Sequence, residues 1–123
     1  MEEPLYIRQQ SLGEDHERVT GALSKAFSEM RTAVLEERPV VALLDDRDLL
    51  GQGTVADAAL ATGMLGLVRA FALEGARVGW QVNALTHRGE EDEVDRLLAL
   101  LAESGLSGQL LRIGTDHLGR VWP

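Results

Sequence analysis

Two kinds of apolar run alternate along the 123-residue chain. Val19, Ala22, Leu23, Ala26, Phe27, Met30 and Val34 recur at a 3.6-residue period, which predicts a helix with one covered face. Ser11-Leu12-Gly13-Glu14 ahead of it has the spacing of a capping box, with serine accepting from the first turn and glutamate reaching back. Pro39 ends the segment, because proline cannot continue a helix. Val40 to Leu44 is five apolar residues without a break, as expected of a strand buried on both faces of a parallel sheet. A polar joint from Asp45 to Thr54 leads to a second helical segment, Val55 to Glu74, and Gly75 and Gly79 punctuate its end. A strand is expected around Trp80 to Leu85, and a third helix from Glu90 to Ser104 built on Val94, Leu97, Leu98 and Leu101. Gly105 stops that helix, and Gln109 to Ile113 reads as the last strand, with Leu5 to Gln9 as an edge strand. The alternation predicts one α/β domain over residues 1–123. Its small parallel sheet of three to four strands would be flanked by three helices in right-handed crossovers.

The central segment VADAALATGMLGLVRAFALE departs from an ordinary amphipathic helix. It carries no charge between Asp57 and Arg69. Ala56, Ala59, Gly63, Gly66 and Ala70 form a stripe of small residues, and Leu60, Met64, Leu67 and Phe71 a bulky stripe beside it. A helix apolar nearly all round needs cover on several sides. Each interior glycine costs about 1 kcal/mol relative to alanine, and close helix–helix contact is the economical offset. The expectation is that the bulky stripe faces the sheet or the adjacent helix while Ala59, Gly63, Gly66 and Ala70 meet a partner, together with Leu23, Phe27 and Met30 of the first helix.

Charge and composition narrow the function classes. The net charge of −8 argues against nucleic acid, whose phosphates are bound by clustered Lys and Arg. The absence of cysteine removes disulfides, thiolate metal sites and cysteine nucleophiles. The acidic, polar start MEEPLYIRQQ is unlike a signal peptide, and polar interruptions break every apolar run short of a membrane span. A cytoplasmic protein is the expectation, and the Arg-, Ala-, Leu- and Gly-rich usage suggests a GC-rich bacterial genome.

Few residues offer chemistry. Asp45, Asp46 and Asp48 follow a buried strand, where open parallel sheets place ligands, and with Asp57 could face a cation. Their spacing does not match a calcium loop, and a solvated loop is the favoured reading. His16, His87 and His117 show no metal-ligand spacing. Trp80 and Trp122 read as packing or interface anchors, since basic neighbours for a stacking platform are few.

One family resemblance runs through these segments. Leu65-Gly66-Leu67-Val68-Arg69-Ala70-Phe71-Ala72-Leu73-Glu74 followed by Gln81-Val82-Asn83-Ala84 resembles the central helix and following strand of the short-chain dehydrogenase/reductase family. Val19-Thr20-Gly21-Ala22, Val40 to Leu44 and Gly108-Gln109-Leu110-Leu111-Arg112-Ile113 resemble further family segments in the same order. The resemblance implies a half-Rossmann-like fold and a four-helix-bundle association through the first and central helices. It also sets out what is different. No glycines stand at G-x-x-x-G-x-G or G-x-G-x-x-G, so a dinucleotide-gripping turn is not present. The family's tyrosine falls at Asp57, its lysine at Ala61, its serine near Leu44 and its asparagine at Arg18. A carboxylate does not replace a phenol as proton donor at neutral pH.

No catalytic, cofactor-binding or metal residues are therefore expected, and no NAD(H) or NADP(H) binding. The favoured expectation is a non-catalytic dehydrogenase-like subunit, forming a homodimer or pairing with a full-length short-chain dehydrogenase/reductase, with neither nucleic acid nor membrane as partner. The alternative is a cofactor-independent lyase, cyclase or dehydratase using Asp45, Asp46, Asp57 and His87.

Overall fold

A computed structural model describes residues 3–89 and 91–113. Strands β1 (Leu5–Arg8), β2 (Val40–Asp45), β3 (Val82–His87) and β4 (Leu110–Arg112) form one sheet in the order β1-β2-β3-β4. Every neighbouring pair is parallel, with Val40 opposite Val82 and Asp45 opposite His87 at the two ends of the central pair. Helix α1 (Val19–Leu35) joins β1 to β2, a short α2 (Asp46–Leu49) and the long α3 (Val55–Glu74) join β2 to β3, and α4 (Glu91–Glu103) joins β3 to β4. The fold is α/β, a small Rossmann-like three-layer arrangement.

The unbroken apolar runs explain the layers. Side chains alternate across a strand, so Val40, Ala42, Leu44, Val82 and Ala84 face one side and Val41, Leu43 and Leu85 the other. The first side is covered by α1 and α3 through Ala26, Met30, Val34, Leu60, Met64 and Val68. The second is covered by α4 through Val94, Leu98 and Leu101. Strand order follows chain order, so all three crossovers step in one direction, yet the third uses the opposite face. The β3–α4–β4 connection therefore has the opposite hand to the other two. The expectation of right-handed crossovers throughout fails here, and the strong right-handed preference assigns the exception to this connection. Its physical reason is the second apolar face of β2 and β3, which α1 and α3 leave bare.

Asn83, 1% exposed, fastens that exceptional connection. Its Nδ2 donates to the Leu106 carbonyl at 2.9 Å, and its Oδ1 accepts from the Gln109 amide at 3.0 Å. Ser107 Oγ accepts from the Val82 amide beside it. An asparagine inside a buried strand here has a structural task.

Local expectations needed three corrections. The capping box is not formed: α1 begins at Val19 after a 3-10 turn, His16–Arg18, and its N-cap Arg18 makes no side-chain cap. Gly13 turns with φ 62°, and the Leu12 amide is taken by Asp57 instead. The Asp45–Thr54 joint contains helix α2, capped by Asp45, whose carboxylate accepts from the Arg47 amide. Trp80 precedes β3 and is not part of it. Its ring lies where a Cβ on Gly75 would stand and sits 6.3 Å from the Phe71 ring, so Gly75 is required by close approach. The expected third helix began at Glu90, which lies outside the described residues, as do His117 and Trp122.

Candidate functional site

Two regions of the structure bear on function: the outer face of the α1–α3 pair and the carboxyl edge of the sheet. Thr54 opens α3 by accepting from the Asp57 amide at 3.1 Å. From there Leu60, Met64 and Phe71 turn inward and are buried, as the bulky stripe requires. Ala59, Gly66 and Ala70 are exposed, as are Thr62, Arg69 and Leu73, and together they follow the helical period along one outward strip. On α1 the exposed residues include Thr20, Gly21, Ser24, Phe27, Ser28 and Arg31. Phe27, 45% exposed, stacks on Phe71 with ring centroids 5.5 Å apart and so joins the two helices. No carboxylate occurs from Thr20 to Ser28 or from Ala59 to Leu73, in a chain with 20 acidic residues.

The seven residues expected at an interface divide into two groups. Ala59, Gly66, Ala70 and Phe27 are on the surface. Met30 has no exposure at all and belongs to the core under α1, so it cannot reach a partner. Leu23 and Gly63 meet each other: a Cβ on Gly63 would lie 2.7 Å from Leu23 Cδ2. Gly63 thus lets α1 and α3 approach within the chain. Gly21 and Gly66 show no such reason, since nothing among the described residues comes within 4 Å of a Cβ placed at either.

At the other region, β2 and β3 send their connections to opposite faces, which opens a crevice at the carboxyl ends of the strands. A cavity of about 230 Å³ lies there, lined by Gln9, Asp45, Asp48, Asp57 and His87 among others. Most of its polar atoms already hold the fold together. Gln9 Oε1 accepts from the Asp45 amide at 3.0 Å, and its Nε2 donates to Asp48 Oδ2 at 2.9 Å. Asp57, 7% exposed, accepts from the Leu12 amide at 2.6 Å. Burial, then the carboxylates of Asp45 and Asp57, push the Asp48 carboxyl above its ordinary range, against the Gln9 hydrogen bond and the Arg47 charge. His87 Nδ1 accepts from the Gly89 amide at 3.2 Å, which leaves Nε2 as the protonated nitrogen of the neutral ring.

Asp46 is the residue whose role was missed. Expected in a solvated loop, it is completely buried. Arg112 binds it with two hydrogen bonds of 2.7 and 2.8 Å, Arg88 Nε donates at 3.0 Å and Thr86 Oγ1 at 3.0 Å. Burial alone would raise its carboxyl; the hydrogen bonds from Arg112, Thr86 and Arg88, with the Arg112 charge, reverse this and lower it. One carboxylate so ties α2 to the carboxyl ends of β3 and β4. Its partners lie 40, 42 and 66 residues away, so no local pattern could signal the cluster.

The positions aligned with the resembled family's catalytic residues hold none of its chemistry. Leu44 and Ala61 are fully buried, Asp57 is held by a backbone amide, and Arg18 is the last residue of the 3-10 turn. Among the described residues, no group of three or more His, Cys, Asp or Glu side chains could hold a metal ion. By length and composition α3 alone, among the described residues, could cross a membrane, and its inward side is core. No family model matches the chain, and no curated protein matches it.

Proposed function

We propose that the chain is a non-catalytic, dehydrogenase-like subunit that associates through the outward face of α1 and α3, with a second copy or with a full-length short-chain dehydrogenase/reductase, in a bacterial cytoplasm. The observation that carries this reading is the carboxylate-free outer strip with Phe27 and two helix glycines, Gly21 in the first turn of α1 and Gly66 inside α3, that no contact among the described residues explains. Gly66, inside α3, costs about 1 kcal/mol against alanine, and a helix from another subunit packed at short range supplies the missing offset. A two-fold contact is self-complementary, so one strip serves both subunits.

The lack of cysteine makes a clean test possible. Single substitutions Thr62→Cys and Gly66→Cys should yield disulfide-linked dimers on mild oxidation, whereas Arg77→Cys, on an exposed loop, should not. Equal cross-linking at all three positions would refute a specific face. Monomers throughout would exclude self-association and leave only the heteromeric form, which pull-down with an intact reductase then decides.

The crevice holding His87 favours a second reading, cofactor-independent catalysis at the carboxyl edge. It is the weaker one, because Asp46 is consumed by two arginines and Asp57 by a backbone amide. Neither is placed to exchange a proton with a substrate.

A further inference from the structure

A cavity of about 530 Å³ lies at the opposite edge of the sheet, where β2 and β3 begin. Glu37, Arg38, Val78, Trp80, Gln81 and Glu103 line it. Its volume falls in the range of small-molecule sites. Helices in this fold run opposite to the strands, so α1 and α4 both end here, and Val34 and Ala102 of their last turns form part of the wall. Helix carboxyl ends present carbonyl oxygens and a partial negative charge, which favour a cation.

Two of the three charged lining residues, Glu37 and Glu103, act in the same direction. Arg38 is engaged: its Nε donates to the Glu3 carbonyl at 2.7 Å, and its guanidinium is 3.7 Å from the Glu36 carboxylate. Glu37 and Glu103 have no ion-pair partner among the described residues. Glu37 is also the one non-glycine residue described with positive φ, 60°, in a conformation where glycine is the usual choice. Trp80 is half-buried in the lining, and indole is the strongest of the aromatic faces for a cation.

We infer that this cavity binds an organic ammonium ion, held between the Trp80 ring, the Glu37 and Glu103 carboxylates and the carboxyl ends of α1 and α4. The site is distant from the α1–α3 strip and does not rest on the association proposed above. The probe is benzyltrimethylammonium, with benzoate as the counterpart of opposite charge and similar ring. In ¹H–¹⁵N spectra of the full chain, benzyltrimethylammonium should move the Trp80 indole signal and the amides of residues 78–81 and 102–105 saturably, at roughly millimolar concentration. Benzoate should not. The double substitution Glu37→Gln and Glu103→Gln removes both carboxylates at exposed positions without altering the core, and should weaken binding about tenfold or more. Shifts that stay linear to about 10 mM, equal shifts with benzoate, or unchanged affinity in a folded double variant would each overturn the assignment.

Discussion

Replacing Asp46 by asparagine tests the tightest electrostatic unit in the fold. The change removes the charge but preserves the shape, leaving Arg88 and Arg112 beside a neutral amide whose NH2 group points donors at donors. Breaking a buried ion pair by neutralising one partner typically costs about 3–5 kcal/mol, because the other charge is left unpaired. Here the side chains of Arg88 and Arg112 keep 23% and 17% exposure, so water can recover part of that loss. A cost of about 2–4 kcal/mol is the expectation, which lowers Tm by roughly 10 °C in a domain of this size. The pH dependence supplies a second, independent reading. The folded-state pKa of Asp46 is depressed, so its contribution is present above the unfolded carboxylate pKa of about 4 and is lost as pH falls through the lower folded value. Urea denaturation followed by circular dichroism at neutral pH and at about pH 3 measures both effects. The deficit of Asp46→Asn should be full at neutral pH and shrink in acid, where the wild type loses the same interaction. A deficit below about 0.5 kcal/mol at neutral pH, or one unchanged in acid, would refute the role given to this carboxylate.

Three further outcomes follow from the packing. Gly63→Ala should be net destabilising in the wild type, because its Cβ presses on Leu23, but stabilising by about 1 kcal/mol in a Leu23→Ala background, where only helix propensity remains; additive effects in a double-mutant cycle would contradict the contact. Glu37→Gly should stabilise by about 1 kcal/mol in thermal unfolding by relieving a left-handed backbone, and a loss of stability would show that the side chain contributes more than the strain costs. Asn83→Ala should cost about 2–4 kcal/mol by orphaning the Leu106 carbonyl and the Gln109 amide, with faster hydrogen exchange at Gln109 and little change in α1; a uniform loss of protection would argue against a local clamp.

The sheet was legible in the sequence because its strands are apolar on both faces, and runs such as Val40 to Leu44 have few other uses. Parallel pairing followed from the helices between the strands, and the inward turn of Leu60, Met64 and Phe71 from the size separation along α3. Features that depend on distant partners were not legible. Asp46 resembles any loop aspartate until Arg88 and Arg112 are folded against it. Gly63 and Gly66 are alike in sequence, and only the position of Leu23 shows that the first serves packing within the chain. Met30 shares the period of Phe27, yet one helical step turns it from the surface into the core. The hand of the last crossover depends on which sheet face stays uncovered, a property of the assembled layers.

The association proposed for α1 and α3 is tested most directly by the solution mass of the wild type beside that of Gly66→Leu. Among the described residues nothing lies within 4 Å of a Cβ at Gly66, and leucine there improves helix propensity by a few tenths of a kcal/mol or more. The described residues therefore offer no obstacle at Cβ, and contact with another subunit is the expected source of disruption. Light scattering at micromolar concentration should give a dimer for the wild type, and a monomer or aggregate for Gly66→Leu with its exposed apolar face. A monodisperse wild-type monomer, or a Gly66→Leu protein of unchanged dimeric mass and stability, would contradict the account.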